Sequence, residues 1–275
     1  MLLQRILTAI PLALGIIWVI LFQPSDIFFW VLLVFIAVAA YEWAKLSGLK
    51  TTGQIIYLLI VCTIPWFLLN HAHQYIQYYI YAAVLWWFVI CIYLFKAHPH
   101  PESAGSKVSP AKLAIGVLVI PAALLSMISI HAQHNGPQWL RYGLLLVWVA
   151  DIGAYFSGKR FGRNKLAPAI SPGKTREGLY GAVAAVCVYT AIAAYYFGLD
   201  MTSAAYLLLL AVVLTLVSVA GDLYESVLKR EHGVKDSGAI LPGHGGILDR
   251  IDSVLASMPV FVTGHALLLQ PVLST

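Results

Sequence analysis

Charged side chains are scarce in this sequence: they make up 11% of its 275 residues, against about 25% in an ordinary soluble domain. Hydrophobic residues make up 60%, so the chain cannot cover its own surface with polar groups. A nucleic-acid partner is not expected from the formal net charge of +5, because the basic residues lie in short loops between apolar runs. That placement suits orientation in a membrane and contact with anionic lipid.

Several motifs are also missing. The three cysteines, Cys62, Cys91 and Cys187, stand alone in apolar runs, which is typical of small buried side chains rather than of a disulfide framework. Neither HExxH nor a Cys/His zinc spacing occurs. The segment 173–175 reads Gly-Lys-Thr, but Pro168 stands where a P-loop requires glycine, and no strand is expected before a helix here. We therefore reject a P-loop.

Long apolar runs predict an all-α polytopic membrane protein, because a helix needs about 20 mostly apolar residues to cross the bilayer. Arg5 precedes the first run without a following Ala-x-Ala site, so we expect a retained helix rather than a cleaved signal. Open strands are excluded in lipid, and the alternation of a membrane barrel is missing. The nine predicted spans are 5–23, 27–46, 54–70, 75–95, 113–132, 139–158, 179–198, 203–228 and 247–269.

The distribution of lysine and arginine predicts the orientation. With the N-terminus inside and the C-terminus outside, only Arg141 of the 17 basic residues falls outside. Two cytoplasmic loops, 158–178 and 229–246, are then long and polar, whereas the outer loops are short. We expect residues 1–138 to be N-terminal transmembrane helices and residues 139–275 to be the catalytic region.

Acidic residues cluster at the inner ends of spans eight and nine. Asp222 and Glu225 share one helix face with Ser226 and Lys229 because of their i, i+3, i+4, i+7 spacing. Asp249 and Asp252 repeat this arrangement in the next span. A carboxylate at membrane depth costs on the order of 3 kcal/mol and needs a partner. Two such faces could meet and hold Mg²⁺, which prefers carboxylate and phosphate oxygens.

Ion pairing is the competing interpretation of these acids. Asp222 could pair with Lys229 or Arg230, and Asp249 with Arg250, without any metal. Asp151, inside the sixth span, also needs an internal partner or a metal.

Glycines precede the last span, at 243–246 in Gly-His-Gly-Gly. Glycine lets a backbone approach a phosphate closely, and a helix N-terminus attracts an anion. With Lys229, Arg230, Lys235 and Arg250 nearby, the glycines are compatible with an anion-binding site and with a plain turn.

The stretch 226–252 resembles the signature of the phosphatidate cytidylyltransferases. That pattern has many fixed positions and the sequence departs from none of them. A second block, 151–178, is also similar to the family. The matching residues of the first block are Ser226, Leu228, Lys229, Arg230, Lys235, Asp236, Gly238, Leu241, Pro242, His244, Gly245, Gly246, Asp249, Arg250 and Asp252.

The resemblance implies the reaction of CTP with phosphatidic acid to give CDP-diacylglycerol and pyrophosphate. It implies Mg²⁺ near Asp222 and Asp249, with a second, monovalent cation such as K⁺ also possible in this family. It further implies a homodimer in the bacterial inner membrane, with the active site facing the cytoplasm.

We accordingly expect three groups of site residues. Asp222 and Asp249 would hold the metal, with Asp252 and Asp151 as weaker candidates. The basic residues Lys229, Arg230, Lys235 and Arg250 would bind the triphosphate or the lipid phosphate. The remaining expected substrate-binding positions are Ser171, Lys174, Thr175, Ser226, Asp236, His244, Gly245 and Gly246.

Two other classes of function use similar features. A transporter of anionic lipid would use the same basic loops and Asp151 but would not need the acidic and glycine-rich constellation of 222–252. Another CTP-using lipid enzyme, such as a polyprenol kinase, shares the nucleotide and would be separated by its product. A CDP-alcohol phosphotransferase is not expected, because its Asp-Gly-x₂-Ala-Arg block is missing.

Overall fold

The computed structural model describes residue 11 and residues 14–97, 107–240 and 245–269. Residues 14–22 are helical. A 3-10 turn, His73–Tyr75, lies between the helices Thr51–His71 and Ile76–Ala97. From residue 25 on, we number the helices α1 Ser25–Leu46, α2 Thr51–His71, α3 Ile76–Ala97, α4 Pro110–His131, α5 Gly136–Phe161, α6 Arg176–Tyr196, α7 Met201–Glu231 and α8 Leu248–Leu269.

The helices confirm an all-α polytopic membrane fold. Within the described residues, seven helices are long and apolar enough to cross a membrane: α1 to α4 and α6 to α8. The helix α5 coincides with the sixth predicted span, but it carries Arg141 and Asp151 and is not among the seven. The first predicted span, 5–23, lies partly outside the described residues. A count of nine spans therefore remains a prediction.

Burial separates central from peripheral helices. Of the residues in the most apolar stretch of each helix, 67% are buried in α4 and 72% in α8, but only 28% in α2 and in α3. The peripheral α2 exposes large apolar side chains such as Leu59 and Phe67, which suits contact with lipid rather than water. The central helices thus form the protein core, and α8 brings Asp249 and Asp252 into it.

Small residues let α5 and α6 pack with their backbones in close contact, as is common between membrane helices. A Cβ added at Gly153 of α5 would lie 2.8 Å from the carbonyl oxygen of Gly181 and 2.8 Å from the Cβ of Ala185. A Cβ at Gly181 would collide with Ser157. This contact fixes α5, with Asp151, against the start of α6.

The loop predicted at 158–178 is more ordered than expected. The helix α5 continues to Phe161, and two antiparallel strands follow, β1 Lys165–Ala167 and β2 Ser171–Thr175. The helix α6 begins directly after β2. Our expectation that no strand precedes a helix here was therefore wrong. The P-loop is still rejected, because Pro168 replaces the required glycine.

Side-chain contacts hold the hairpin on α6. Thr175 caps the helix by accepting a hydrogen bond from the backbone N–H of Gly178 at 3.1 Å. The Glu177 carboxylate accepts hydrogen bonds from the backbone N–H groups of Arg163 and Asn164 and from the Asn164 side chain. The position of Lys174 on β2 is thereby fixed relative to the bundle.

Several helix ends meet at the end of the bundle that carries this hairpin. Lys112 near the start of α4 pairs with Glu231 at the end of α7, at 2.7 Å. The pKa of His232, directly after α7, is lowered by burial and by the charges of Lys112 and Lys45. Arg230 reaches the hairpin turn and donates to the carbonyl oxygen of Ile170. The two polar loops predicted from the sequence therefore lie at the same end of the molecule.

Candidate active site

A cluster of eight charged side chains lies where β2 and the helices α5, α7 and α8 meet. We call it the charged cluster, and its contacts are described below. Its members are Asp151, Lys174, Asp222, Glu225, Lys229, Asp249, Arg250 and Asp252.

The face of α7 predicted from the sequence is confirmed. Ser226 Oγ donates to Asp222 Oδ1 at 3.4 Å, and Lys229 Nζ donates to Glu225 Oε2 at 2.6 Å. Both contacts join residues one helical turn apart. The helix is long, 31 residues, so this face extends beyond the apolar part of the span.

Lys229 joins the acidic residues of the last two helices. Its Nζ atom lies 2.6 Å from Glu225 Oε2 and 2.7 Å from Asp249 Oδ1. All three side chains are nearly enclosed, with Glu225 2% and Asp249 5% exposed. The sequence had named Arg250 as a partner for Asp249; the structure shows an ion pair of Asp249 with Lys229. A buried lysine shared by two acids fixes the α7–α8 geometry electrostatically.

The second oxygen of Asp249 organises the loop before α8. Asp249 Oδ2 accepts hydrogen bonds from Ser237 N at 3.0 Å and Gly246 N at 2.8 Å, and it lies 3.0 Å from Ser237 Oγ. Gly245 has a positive φ of 81°, and a Cβ there would lie 2.7 Å from the same oxygen. Glycine is required at 245 for both reasons. Gly245 and Gly246 thus shape the loop around a carboxylate of the protein itself.

Lys174 connects the hairpin to the cluster. Its Nζ atom lies 2.6 Å from Asp222 Oδ2, with both side chains partly exposed. The sequence left open a pairing of Asp222 with Lys229 or Arg230. In the structure, Asp222 pairs with Lys174 instead. Asp151 lies close enough to Lys174, Asp222 and Arg250 to interact with them electrostatically. The two signature blocks therefore meet in space.

Asp252 completes the acidic side of the cluster. It interacts electrostatically with Asp222 and Glu225, and its backbone oxygen would lie 2.7 Å from a Cβ at Gly221. The helices α7 and α8 thus touch one residue before Asp222. This approach brings the two acidic faces together, as the spacing of the sequence predicted.

Other predicted residues have different surroundings. Arg230 donates to backbone carbonyl oxygens of Ile170 and Val234, and Thr175 caps α6. Both contacts position the chain. Ser171 begins β2 and is half-buried, whereas Lys235 and Asp236 are exposed. His244 lies outside the described residues.

Sequence reasoning missed Glu42. This residue of α1 is 2% exposed, and its carboxylate accepts hydrogen bonds from Ser237 Oγ at 2.9 Å and from the backbone N–H of Leu248 at 2.8 Å. The available signal was a carboxylate within an apolar span, which is costly and marks a functional hypothesis.

The donor set fits a hard cation. Within residues 11, 14–97, 107–240 and 245–269, no three His, Cys, Asp or Glu side chains are already arranged to hold a metal. The charged cluster nevertheless contains five acids against three bases, a formal deficit of two positive charges. Glu225 Oε1 is buried without a hydrogen-bond partner in that part of the chain. Such oxygen ligands, short of positive charge, suit Mg²⁺.

Known proteins that are similar to this chain match nearly all of it. The profile of the cytidylyltransferase family matches residues 3–268. The phosphatidate cytidylyltransferase of Pseudomonas aeruginosa is 38% identical over 267 residues, covering 95% of this chain and 96% of that protein. The protein of the same name from Haemophilus influenzae is 34% identical over 282 residues, covering 95% and 97%.

A Staphylococcus epidermidis phosphatidate cytidylyltransferase is 43% identical over a shorter stretch of 128 residues, which is 46% of this chain and 49% of that protein. The match to the family profile extends over nearly all residues, and the first two relatives are covered almost completely. This chain therefore belongs to the cytidylyltransferase family.

Proposed function

We propose that this protein is a phosphatidate cytidylyltransferase, which converts CTP and phosphatidic acid to CDP-diacylglycerol and pyrophosphate. The observation that carries the proposal is the convergence of Lys174, Lys229 and five acids at one end of an apolar helix bundle. A site at the end of a membrane bundle can meet a water-soluble nucleotide and a lipid at once.

In this reaction, a phosphate oxygen of phosphatidic acid forms a bond to the α-phosphorus of CTP. The bond from that phosphorus to the bridging oxygen of the β-phosphate breaks, and pyrophosphate leaves. Both reactants are anions, so positive charge held in place lowers the barrier. Lys174, Lys229 and Arg250 would supply it from this chain.

Both lysines are paired with acids of the charged cluster. A lysine ammonium has three N–H donors, so either side chain can contact a phosphate while it keeps a carboxylate partner. If Lys174 or Lys229 turns further toward the phosphate, Asp222 or Asp249 is left to bind a cation. Ion pairing and metal binding are therefore compatible as successive states of the same acids in this proposal.

We propose that Mg²⁺ is the cation, held by Asp222 and Asp249 with Asp252 or Asp151 as further ligands. When bound, it would neutralise phosphate charge and orient the triphosphate. A second, monovalent cation such as K⁺ could balance the remaining acids. The protein's own contribution is to hold these acids at fixed positions on α5, α7 and α8.

The location proposed is the bacterial inner membrane, with the charged cluster facing the cytoplasm and the protein a homodimer. The lysine and arginine distribution of the sequence supports this orientation. CTP would then arrive from the cytosol and phosphatidic acid from the inner leaflet.

The test is an assay of the purified protein with radiolabelled CTP and phosphatidic acid, with identification of the lipid product. We expect labelled CDP-diacylglycerol in the presence of Mg²⁺, loss of turnover with EDTA, and recovery when Mg²⁺ is restored. Transport of phosphatidic acid without consumption of CTP would instead indicate a lipid transporter. A labelled polyprenol product, or none, would contradict the proposal, and continued turnover without divalent metal would contradict metal catalysis.

The assignment of Asp249 is tested by Asp249→Asn. The amide keeps the shape, but its nitrogen cannot accept a hydrogen bond from Lys229 or from the loop. We expect normal insertion and a turnover reduced by about 100-fold or more, the effect of removing a preorganised charge. The matched control is Asp200→Asn, the same change at an exposed cap of α7. Near-normal turnover of Asp249→Asn would contradict the assignment.

A further inference from the structure

Glu42 links the N-terminal helices to the loop that holds Asp249. Its Oε2 atom accepts from Ser237 Oγ at 2.9 Å and from Leu248 N at 2.8 Å, and its Oε1 atom accepts from Ile247 N at 3.3 Å. These partners are about 200 residues away along the chain, with separations of 195 to 206. The first backbone N–H groups of a helix have no partner within the helix. Here a carboxylate from α1 accepts from the first of them, at Leu248, and from Ile247 just before the helix.

The loop is built around this carboxylate. A Cβ at Gly238 would collide with Glu42 Oε1, and a Cβ at Gly246 would collide with both carboxylate oxygens of Glu42. Only glycine at these two positions lets the backbone approach so closely. The two glycines therefore let the loop backbone lie directly against the buried Glu42 carboxylate.

Ser237 lies between Glu42 and Asp249 of the charged cluster. The Ser237 hydroxyl is within hydrogen-bond distance of Glu42 Oε2 at 2.9 Å and of Asp249 Oδ2 at 3.0 Å. Its backbone N–H also donates to Asp249 Oδ2. Asp249 is therefore separated from Glu42 by a single side chain, and its other oxygen, Oδ1, is bound to Lys229.

We propose that Glu42 is a positioning residue of the active site, which acts through Ser237 and the start of α8 to orient the Asp249 carboxylate. The inference rests on the proposed function, because Asp249 is the group that it serves. Glu42 touches no reactant. Its role is that of outer-shell partners of metal ligands, whose loss typically lowers activity by about 10- to 100-fold.

The test compares Glu42→Gln with Asp26→Asn in the purified protein. In Glu42→Gln, the new side-chain amide would direct an N–H₂ group at N–H or O–H donors, so the carboxylate-specific contacts are lost with little change in volume. Asp26 lies in the first turn of the same helix and is exposed, so its change to Asn controls for removal of an acid from α1. We expect kcat to fall by about 10- to 100-fold in Glu42→Gln, with KM for CTP changed by less than about twofold, and no effect of Asp26→Asn.

Ser237→Ala separates positioning from helix capping, since it leaves the Glu42 contacts to Ile247 and Leu248 in place. We expect it to reproduce the loss of kcat, and we expect the double variant with Glu42→Gln to lose less than the product of the two single effects. Glu42→Asp should recover part of the activity lost in Glu42→Gln. If Glu42→Gln fails to fold, the kcat of Ser237→Ala decides.

Normal kcat in either Glu42→Gln or Ser237→Ala would overturn the inference, as would multiplicative effects in the double variant. A loss of activity explained entirely by a lower melting temperature would also overturn it. Failure of the proposed function is distinguishable, because the wild-type protein would then form no CDP-diacylglycerol.

Discussion

Lys229 joins the acids of α7 and α8 through two ion pairs. Its ammonium group lies between Glu225 and Asp249, at 2.6 and 2.7 Å, and is largely enclosed. The net value of a buried ion pair is small, because desolvation offsets attraction. Removal of one partner is costly, however, because the remaining charges stay buried. Lys229 therefore balances the charge of the two buried acids, and in the proposed reaction it would also bind phosphate.

Replacement of Lys229 by methionine should lower the free energy of unfolding by about 3–5 kcal/mol, since two buried carboxylates lose their counter-ion. Thermal unfolding of the purified variant, followed with a thiol-reactive dye on the native cysteines, measures the effect. The double variant Lys229→Met with Glu225→Gln should recover part of this loss, because one of the two acids is then neutral.

The matched control for Lys229→Met is Lys50→Met, the same change at an exposed position before α2. It should leave the melting temperature unchanged. An unchanged melting temperature in Lys229→Met would show that the buried pairs contribute nothing to stability. No recovery in the double variant would show that the unpaired Glu225 carboxylate is not the cause of the loss.

At the residue scale, the sequence predicted the side-chain contacts that follow from helix periodicity. The contacts Ser226–Asp222 and Lys229–Glu225 follow from a spacing of four residues. The Lys174–Asp222 pair could not be predicted in this way, because it depends on how a hairpin folds back on α7. Glu42 could have been suspected from its burial cost in an apolar span, but its partners could not have been identified.

Among the elements, the close contact of α5 and α6 holds Asp151 and the hairpin in place. Gly153→Ala should lower the free energy of unfolding by about 1–3 kcal/mol, because the new methyl group meets the backbone of α6 and the helices must separate. The same dye-based melting experiment measures the change.

Gly15→Ala is the control for Gly153→Ala, since no atom lies within 4 Å of a Cβ there. We expect it to melt like the wild-type protein. A melting temperature of Gly153→Ala equal to that of Gly15→Ala would mean that the helices adjust without cost.

The strands of the hairpin were missed for an identifiable reason. β2 reads Ser-Pro-Gly-Lys-Thr, and proline and glycine are depleted in strands. Pairing with β1 and the capping of α6 by Thr175 override this local preference. Short strands of this kind depend on tertiary contacts, which single-sequence patterns do not contain. In contrast, α7 and α8 begin and end within a few residues of the predicted spans, because their apolar runs are long.

For the whole molecule, the orientation in the membrane decides which substrates can reach the charged cluster. The bias of lysine and arginine predicts that the hairpin is inside and that residue 134 is outside. In intact cells, a membrane-impermeant maleimide should label His134→Cys, whereas it should label Arg163→Cys only after the membrane is opened. Both positions are exposed.

The parent chain is the control for this labelling, because its three cysteines lie in apolar helices. It should remain unlabelled in intact cells. The reverse pattern, with Arg163→Cys labelled from outside, would refute the predicted orientation and would place the charged cluster away from the cytosolic nucleotide.

The long-range contact of Glu42 has a consequence for biosynthesis. Ser237 follows Glu42 by 195 residues, so at translation rates of about 5–20 residues per second the carboxylate waits roughly 10 to 40 s for its partner. During that interval, α1 must tolerate an acid without its final hydrogen bonds. A chain that stops before residue 237 would therefore keep a buried carboxylate in α1 without the hydrogen bonds from Ser237, Ile247 and Leu248.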